Sequence, residues 1–189
     1  MRHTRFVLCA SMVLAVLCAG TLLAQNKPVE DVNAERNPNL AAAQHFCLEA
    51  FNKAHEAQVA NKYDMKGHAA KAKELLVQAS QEISAADKIA DAPKTGTRET
   101  VSPEGPKRPV EDINAERNPN LAEAQRLCLK AFDKVHEAQI ANKYDMKGHA
   151  AKAKQLLVQA SEELSTADKI ADSAHPGKNP QAPSTQQPM

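Results

Sequence analysis

The chain has 189 residues, enough for one or two small domains, and its lack of tryptophan and 3% aromatic content exclude a large aromatic core. Its 42% apolar share is mostly Ala and Leu, which with abundant Lys, Glu and Gln favours helices. The formal net charge is only +1 with both signs interspersed, so the composition offers no electrostatic footprint for nucleic acid or an anionic membrane.

Residues 1–24 read as a signal peptide. Arg2 and Arg5 form a basic start, residues 6–18 are an apolar run, and Leu22-Leu23-Ala24 places a small residue before Gln25. The run is short of the about 20 apolar residues of a membrane span and is interrupted by Ser11 and Gly20. Cleavage after Ala24 would export the chain to the periplasm or the exterior and leave no transmembrane segment; modification of Cys18 as a lipoprotein signal is the rival, with Leu17 poorly suited before it. Export removes two arginines and no acid, leaving 22 basic against 23 acidic side chains.

The rest is a tandem repeat. Residues 28–91 align with residues 109–172 at a constant offset of 81, and 12 of the 64 positions differ. Most substitutions keep polarity, for example Val32/Ile113, Val59/Ile140 and Ile83/Leu164, as expected if both copies adopt one fold. Residues 60–73 return unchanged as residues 141–154; a young duplication accounts for that without a site, since roughly two or three changes are expected in such a window.

Each repeat opens with a polar lead, PVEDVNAER or PVEDINAER, to which the pattern assigns no structure. Asn-Pro-Asn follows at residues 37–39 and 118–120 and marks a helix start, with Glu123 three residues beyond Asn120 completing a capping box. The first helix is expected over residues 40–62, with Leu40, Gln44, Cys47, Leu48, Phe51, His55 and Val59 on one face. Asp64 then caps a second helix, with Tyr63 stapled onto His68 and Gly67 in its first turn. In that helix Ala69, Ala72, Leu76, Ala79, Ile83, Ala86 and Ala90 alternate steps of three and four, a heptad seam of small and medium residues.

Residues 92–108 are a Pro, Gly and Thr-rich linker, and residues 173–189 a polar tail with four prolines, expected to be disordered. A 17-residue linker lets the second hairpin fold back on the first. The expected fold is therefore all-α: two tandem antiparallel helical hairpins forming a four-helix bundle, with independent or self-pairing hairpins as the alternative.

The residues that could carry chemistry are His55, His68, His136 and His149, with Asp64/Asp145, Met65/Met146 and Cys47/Cys128 nearby. Imidazole, carboxylate and thiolate suit copper, nickel or zinc, yet no HxxxH, CxxC or HExxH spacing is present. Structurally, His68 would complete a staple and His55 fill a place on the packing face. His45 becomes Arg126, as a surface position would. Cys47 and Cys128 survive signal removal at equivalent positions; in an oxidising compartment they could pair within or between chains, or serve as small buried hydrophobes. No nucleophile motif and no Gly-rich phosphate loop exist among only six glycines, so an enzyme is not expected.

The segment ANKYDMKGHAAKAKELLVQAS resembles uncharacterised exported helical-hairpin proteins of bacteria. More loosely, over residues 55–88 and 136–169, the chain is similar to small periplasmic metal-binding proteins built as four-helix bundles from Gly-His-containing hairpins. Those proteins carry histidines through both helices, and only His55, His68, His136 and His149 occupy matching places here. The expected function is an exported, non-enzymatic structural or interaction module of a bacterial envelope that associates with itself or a protein partner. The alternatives are a periplasmic binder of copper, nickel or zinc and, third, a redox-linked dimer joined through Cys47 or Cys128.

Overall fold

The computed structural model describes residues 27–62, 65–91, 106–142 and 146–174; the leader expected at residues 1–24, most of the linker and most of the tail lie outside them. Among the described residues the fold is made of four α-helices, α1 (Pro38–Asn61), α2 (His68–Ala90), α3 (Pro119–Asn142) and α4 (His149–Ala174), and no strand. The expected all-α four-helix bundle of two hairpins is the architecture observed. At 23–26 residues each, the helices are about 35–39 Å long and pair over most of their length.

The helix ends differ from the sequence pattern in several places. Helix α1 starts at Pro38, in the first turn, where its missing N–H costs nothing. Asn37 occupies the cap position without a side-chain cap bond; its Nδ2 instead donates to Asp87 and Asp91. In the second copy Glu123 does not close a capping box; it pairs with Arg126 one turn on, Arg126 Nε donating to Glu123 Oε2 at 2.7 Å. Helix α4 runs to Ala174, two residues into the segment expected to be a disordered tail.

The described residues of the hairpin turn take left-handed backbone. Lys62 closes α1 at φ 56°, and Met65, Lys66 and Gly67 follow at φ 46°, 56° and 89°. Met146, Lys147 and Gly148 repeat this at 48°, 55° and 84°. Only glycine takes this region freely, and each other residue there costs about 1–2 kcal/mol. Burial offsets the strain: Met65 and Met146 are fully buried, worth about 1.5–3 kcal/mol each. Helix α2 therefore begins at His68 behind Gly67, not behind an Asp64 cap, and Asp64 and Tyr63 lie outside the described residues.

The core is one continuous seam. In α1 it runs through Leu40, Ala43, Cys47, Ala50, Ala54 and Ala57, in α2 through Ala69, Ala72, Leu76, Ala79, Ile83 and Ala86. The α2 seam is as expected except for Ala90, which is only half-buried. In α1 the expected face drifts: His55 is exposed and Val59 is 65% exposed. Each step of four advances about 400°, so the run 47, 51, 55, 59 rotates about 120° off the seam, whereas alternating threes and fours recentre it. Alanines at Ala43, Ala50 and Ala54 let neighbouring backbones approach closely.

Helix α1 packs on α2 within its repeat and on α3 across repeats; α4 likewise meets α3 and α2. The cross-repeat pairs are antiparallel. Lys130 of α3 lies over the Phe46 ring of α1, and His68 at the start of α2 reaches Glu163 in the second half of α4. The two hairpins are thus related by a pseudo-two-fold axis, with their turns at opposite ends.

Candidate functional site

The most elaborate polar constellation is built on the leads, to which the sequence pattern assigns no structure. The lead of repeat 1 lies over the groove between α1 and α2 and is tied to both. Gln44, 1% exposed in the α1 seam, presents its carbonyl to the backbone N–H groups of Asp31 (2.8 Å) and Val32 (3.0 Å). Its amide donates to Asp31 Oδ1 at 2.7 Å and to the Ser80 carbonyl at 3.4 Å. From α2, Ser80 donates to the Val29 carbonyl and Ser84 to Asp31 Oδ2, both at 2.8 Å. Val32 packs on the core beneath, and Pro28 is buried.

A second knot closes the open end of the hairpin. Asn33 accepts from the backbone N–H groups of Glu35 and Arg36, turning the chain into α1. Asn37 Nδ2 then donates to Asp87 Oδ1 at 2.7 Å and Asp91 Oδ1 at 3.0 Å, and Arg36 pairs with Asp91 at 2.7 Å. Repeat 2 builds the same clasp from Asp112, Gln125, Ser161, Ser165, Asn118 and Asp168.

The carboxylates divide into two kinds. Burial would raise Asp31, but hydrogen bonds from Gln44 and Ser84, with the charge of Lys88, hold it below the usual carboxylate range; Asp112 behaves alike. Burial pushes Asp87 up, only partly countered by Asn37 and reinforced by neighbouring Asp91, and Asp168 follows the same pattern. The sequence signal for this network was a glutamine inside an apolar seam, with Ser80, Ser84 and Asp87 flanking the other seam at helical spacing.

The four candidate histidines do not converge. His55 and His136 are exposed on α1 and α3. His68 and His149 each meet a carboxylate of the other repeat: His68 Nδ1 lies 2.6 Å from Glu163 Oε2, and His149 Nδ1 lies 2.6 Å from Glu82 Oε2. Along α2, His68 and Glu82 are 14 residues apart, which separates the two pairs by about 21 Å. Among the described residues no three His, Cys, Asp or Glu side chains gather as a metal site. His45, expected at the surface, is exposed and bonded to Glu30 at 2.7 Å.

Cys47 on α1 and Cys128 on α3 are free thiols, both fully buried in the core. Burial pushes Cys128 up to about 12 and Cys47 higher still, Cys128 adding to the effect on Cys47. Lys73 and Lys154 are nearly buried, each ammonium over an aromatic ring of the partner helix, at 5.3 Å from Phe51 and 5.4 Å from Phe132.

No helix among the described residues is long and apolar enough to cross a membrane. Comparison with family models, curated proteins and solved structures found no match.

Proposed function

We propose that this chain is an exported, non-enzymatic structural or interaction module of a bacterial envelope. The observation that carries the reading is the use to which its polar residues are put. Gln44, Asp31, Ser80, Ser84, Asn37 and Asp87 bind one another and the backbone of the lead, and repeat 2 commits the equivalent set in the same way. Their chemistry is consumed in closing each hairpin, which leaves helix faces as the surface for recognition. Export rests on the basic start and apolar run of residues 1–24.

The test is photo-cross-linking in intact cells expressing residues 1–189, with a photoreactive residue in place of Val59 or Ile140, equivalent positions 65% and 64% exposed. The expected result is a discrete adduct with a protein, or with a second copy of the chain, in the envelope fraction. A chain found only in the cytoplasm, or one that gives no adduct from either position, would overturn the reading.

A metal-binding reading would have to use His68 with Glu163 and His149 with Glu82, two protein donors each, leaving the remaining positions to water. Calorimetric titration of residues 25–189 with copper, nickel and zinc decides it. Stoichiometric micromolar binding that disappears in H68A/H149A would establish this reading in place of the first.

A further inference from the structure

Every hydrogen bond of the clasp stays inside its own repeat, so each hairpin is closed on one side by its own lead. Among the contacts that cross between repeats, one set obeys the two-fold relation. His68 meets Glu163 as His149 meets Glu82, both at 2.6 Å, and the equivalent Cys47 and Cys128 are both buried in the shared core. The residues of these pairs are identical in both copies. A hairpin is therefore complementary to its own sequence, with the isologous geometry of a C2 dimer.

The few substitutions at the α1–α3 crossing then decide which hairpin pairs with which. Arg126 replaces His45, Lys130 replaces Glu49, and Glu123 replaces Ala42. Arg126 feels the charge of Glu49 across the crossing, Glu123 that of Lys53, and Lys130 Nζ lies 5.5 Å from the centroid of the Phe46 ring. Were repeat 2 to pair with repeat 2, Lys130 would stand where Glu49 stands, and Arg126 would face a like charge twice. Pairing repeat 1 with repeat 2 avoids that clash.

We propose that the inter-repeat face is a docking surface for a second copy of this chain, through reciprocal exchange in which repeat 1 of each chain packs on repeat 2 of the other. The same bundle then forms twice, and every interface of the closed monomer is rebuilt between chains. This rests on the reading of the chain as an interaction module and names its partner. The linker makes the choice between closed monomer and exchanged dimer one of concentration. In the antiparallel α2–α4 pair, Ser161, which holds the start of the second lead through Val110, lies level with about residue 70, so the path from Asp91 covers about 30 Å along the bundle. The 17 residues 92–108 reach about 60 Å when extended, ample for closure within one chain.

The experiment removes that freedom. Deleting residues 93–104 leaves five linker residues, a reach of about 20 Å, too short to close the monomer. Light scattering and circular dichroism on this otherwise complete chain, residues 25–189, are expected to show a dimer, or a closed multiple of it, with the helicity of the undeleted protein. A folded monomer or an unfolded chain would overturn the proposal. In the deleted background, Glu49→Lys is expected to weaken the dimer by about two- to five-fold, and adding Arg126→Glu to restore it. Failure of the second change to rescue the first would refute the charge rule for pairing. Cellular adducts with other proteins alongside a monomeric deletion variant would keep the module reading and sink the exchange.

Discussion

The clasp makes a quantitative claim about one side chain. Replacing Gln44 with alanine removes an amide that is 1% exposed and makes four hydrogen bonds, two from backbone N–H groups and one to a carboxylate. Neutral bonds contribute about 1 kcal/mol each and a bond to a charged group about 1.5–3 kcal/mol. The lead sits at the surface, so on losing the glutamine it can detach and regain water, which caps the loss below the full sum. The expected destabilisation is about 2–4 kcal/mol by urea unfolding. Hydrogen exchange locates the effect: the Asp31 and Val32 amides should lose protection well before the amides of α1 and α2. A loss under about 0.5 kcal/mol with these two amides still protected would refute the account of the lead. Gln125→Ala should reproduce the result in the second repeat, since its bonds are equivalent.

Other consequences follow from the same geometry. Because Asp87 and Asp168 are raised in the fold, they take up protons there before they would in the unfolded chain, so stability should edge upward as pH falls towards the unfolded value near 4. Asp31 and Asp112 are depressed, and their contribution should be lost as pH falls below about 4; an acid limb unchanged in D31N/D112N would contradict this. Lys66→Gly and Lys147→Gly relieve left-handed backbone and should each raise stability by about 0.5–1 kcal/mol, read from the urea midpoint; no gain would mean the turn is unstrained. With both thiols buried and held protonated, a disulfide reagent at pH 8 should label Cys47 and Cys128 only as fast as the bundle opens, and labelling at the rate of a free thiol would disprove their burial.

Local pattern sufficed for much of this molecule. The duplication, the two helices of each repeat and the α2 seam are legible because helix formation and heptad burial depend on residues three and four apart. The same spacing misplaced His55 and Val59, since a run of fours rotates off a seam that only the packed neighbours define. It could not reveal that Asn37 ties two carboxylates instead of capping a helix, that His68 and His149 answer glutamates of the opposite repeat, or that Gln44 anchors the lead. Those partners lie between 12 and 95 residues away along the chain, and no periodicity encodes such a separation. Sequence alone thus determined the helices of each hairpin; only the tertiary structure decided how each lead is tied down and how the hairpins meet. The reason is that antiparallel docking about a two-fold axis brings together residues whose relation is one of symmetry, not of spacing.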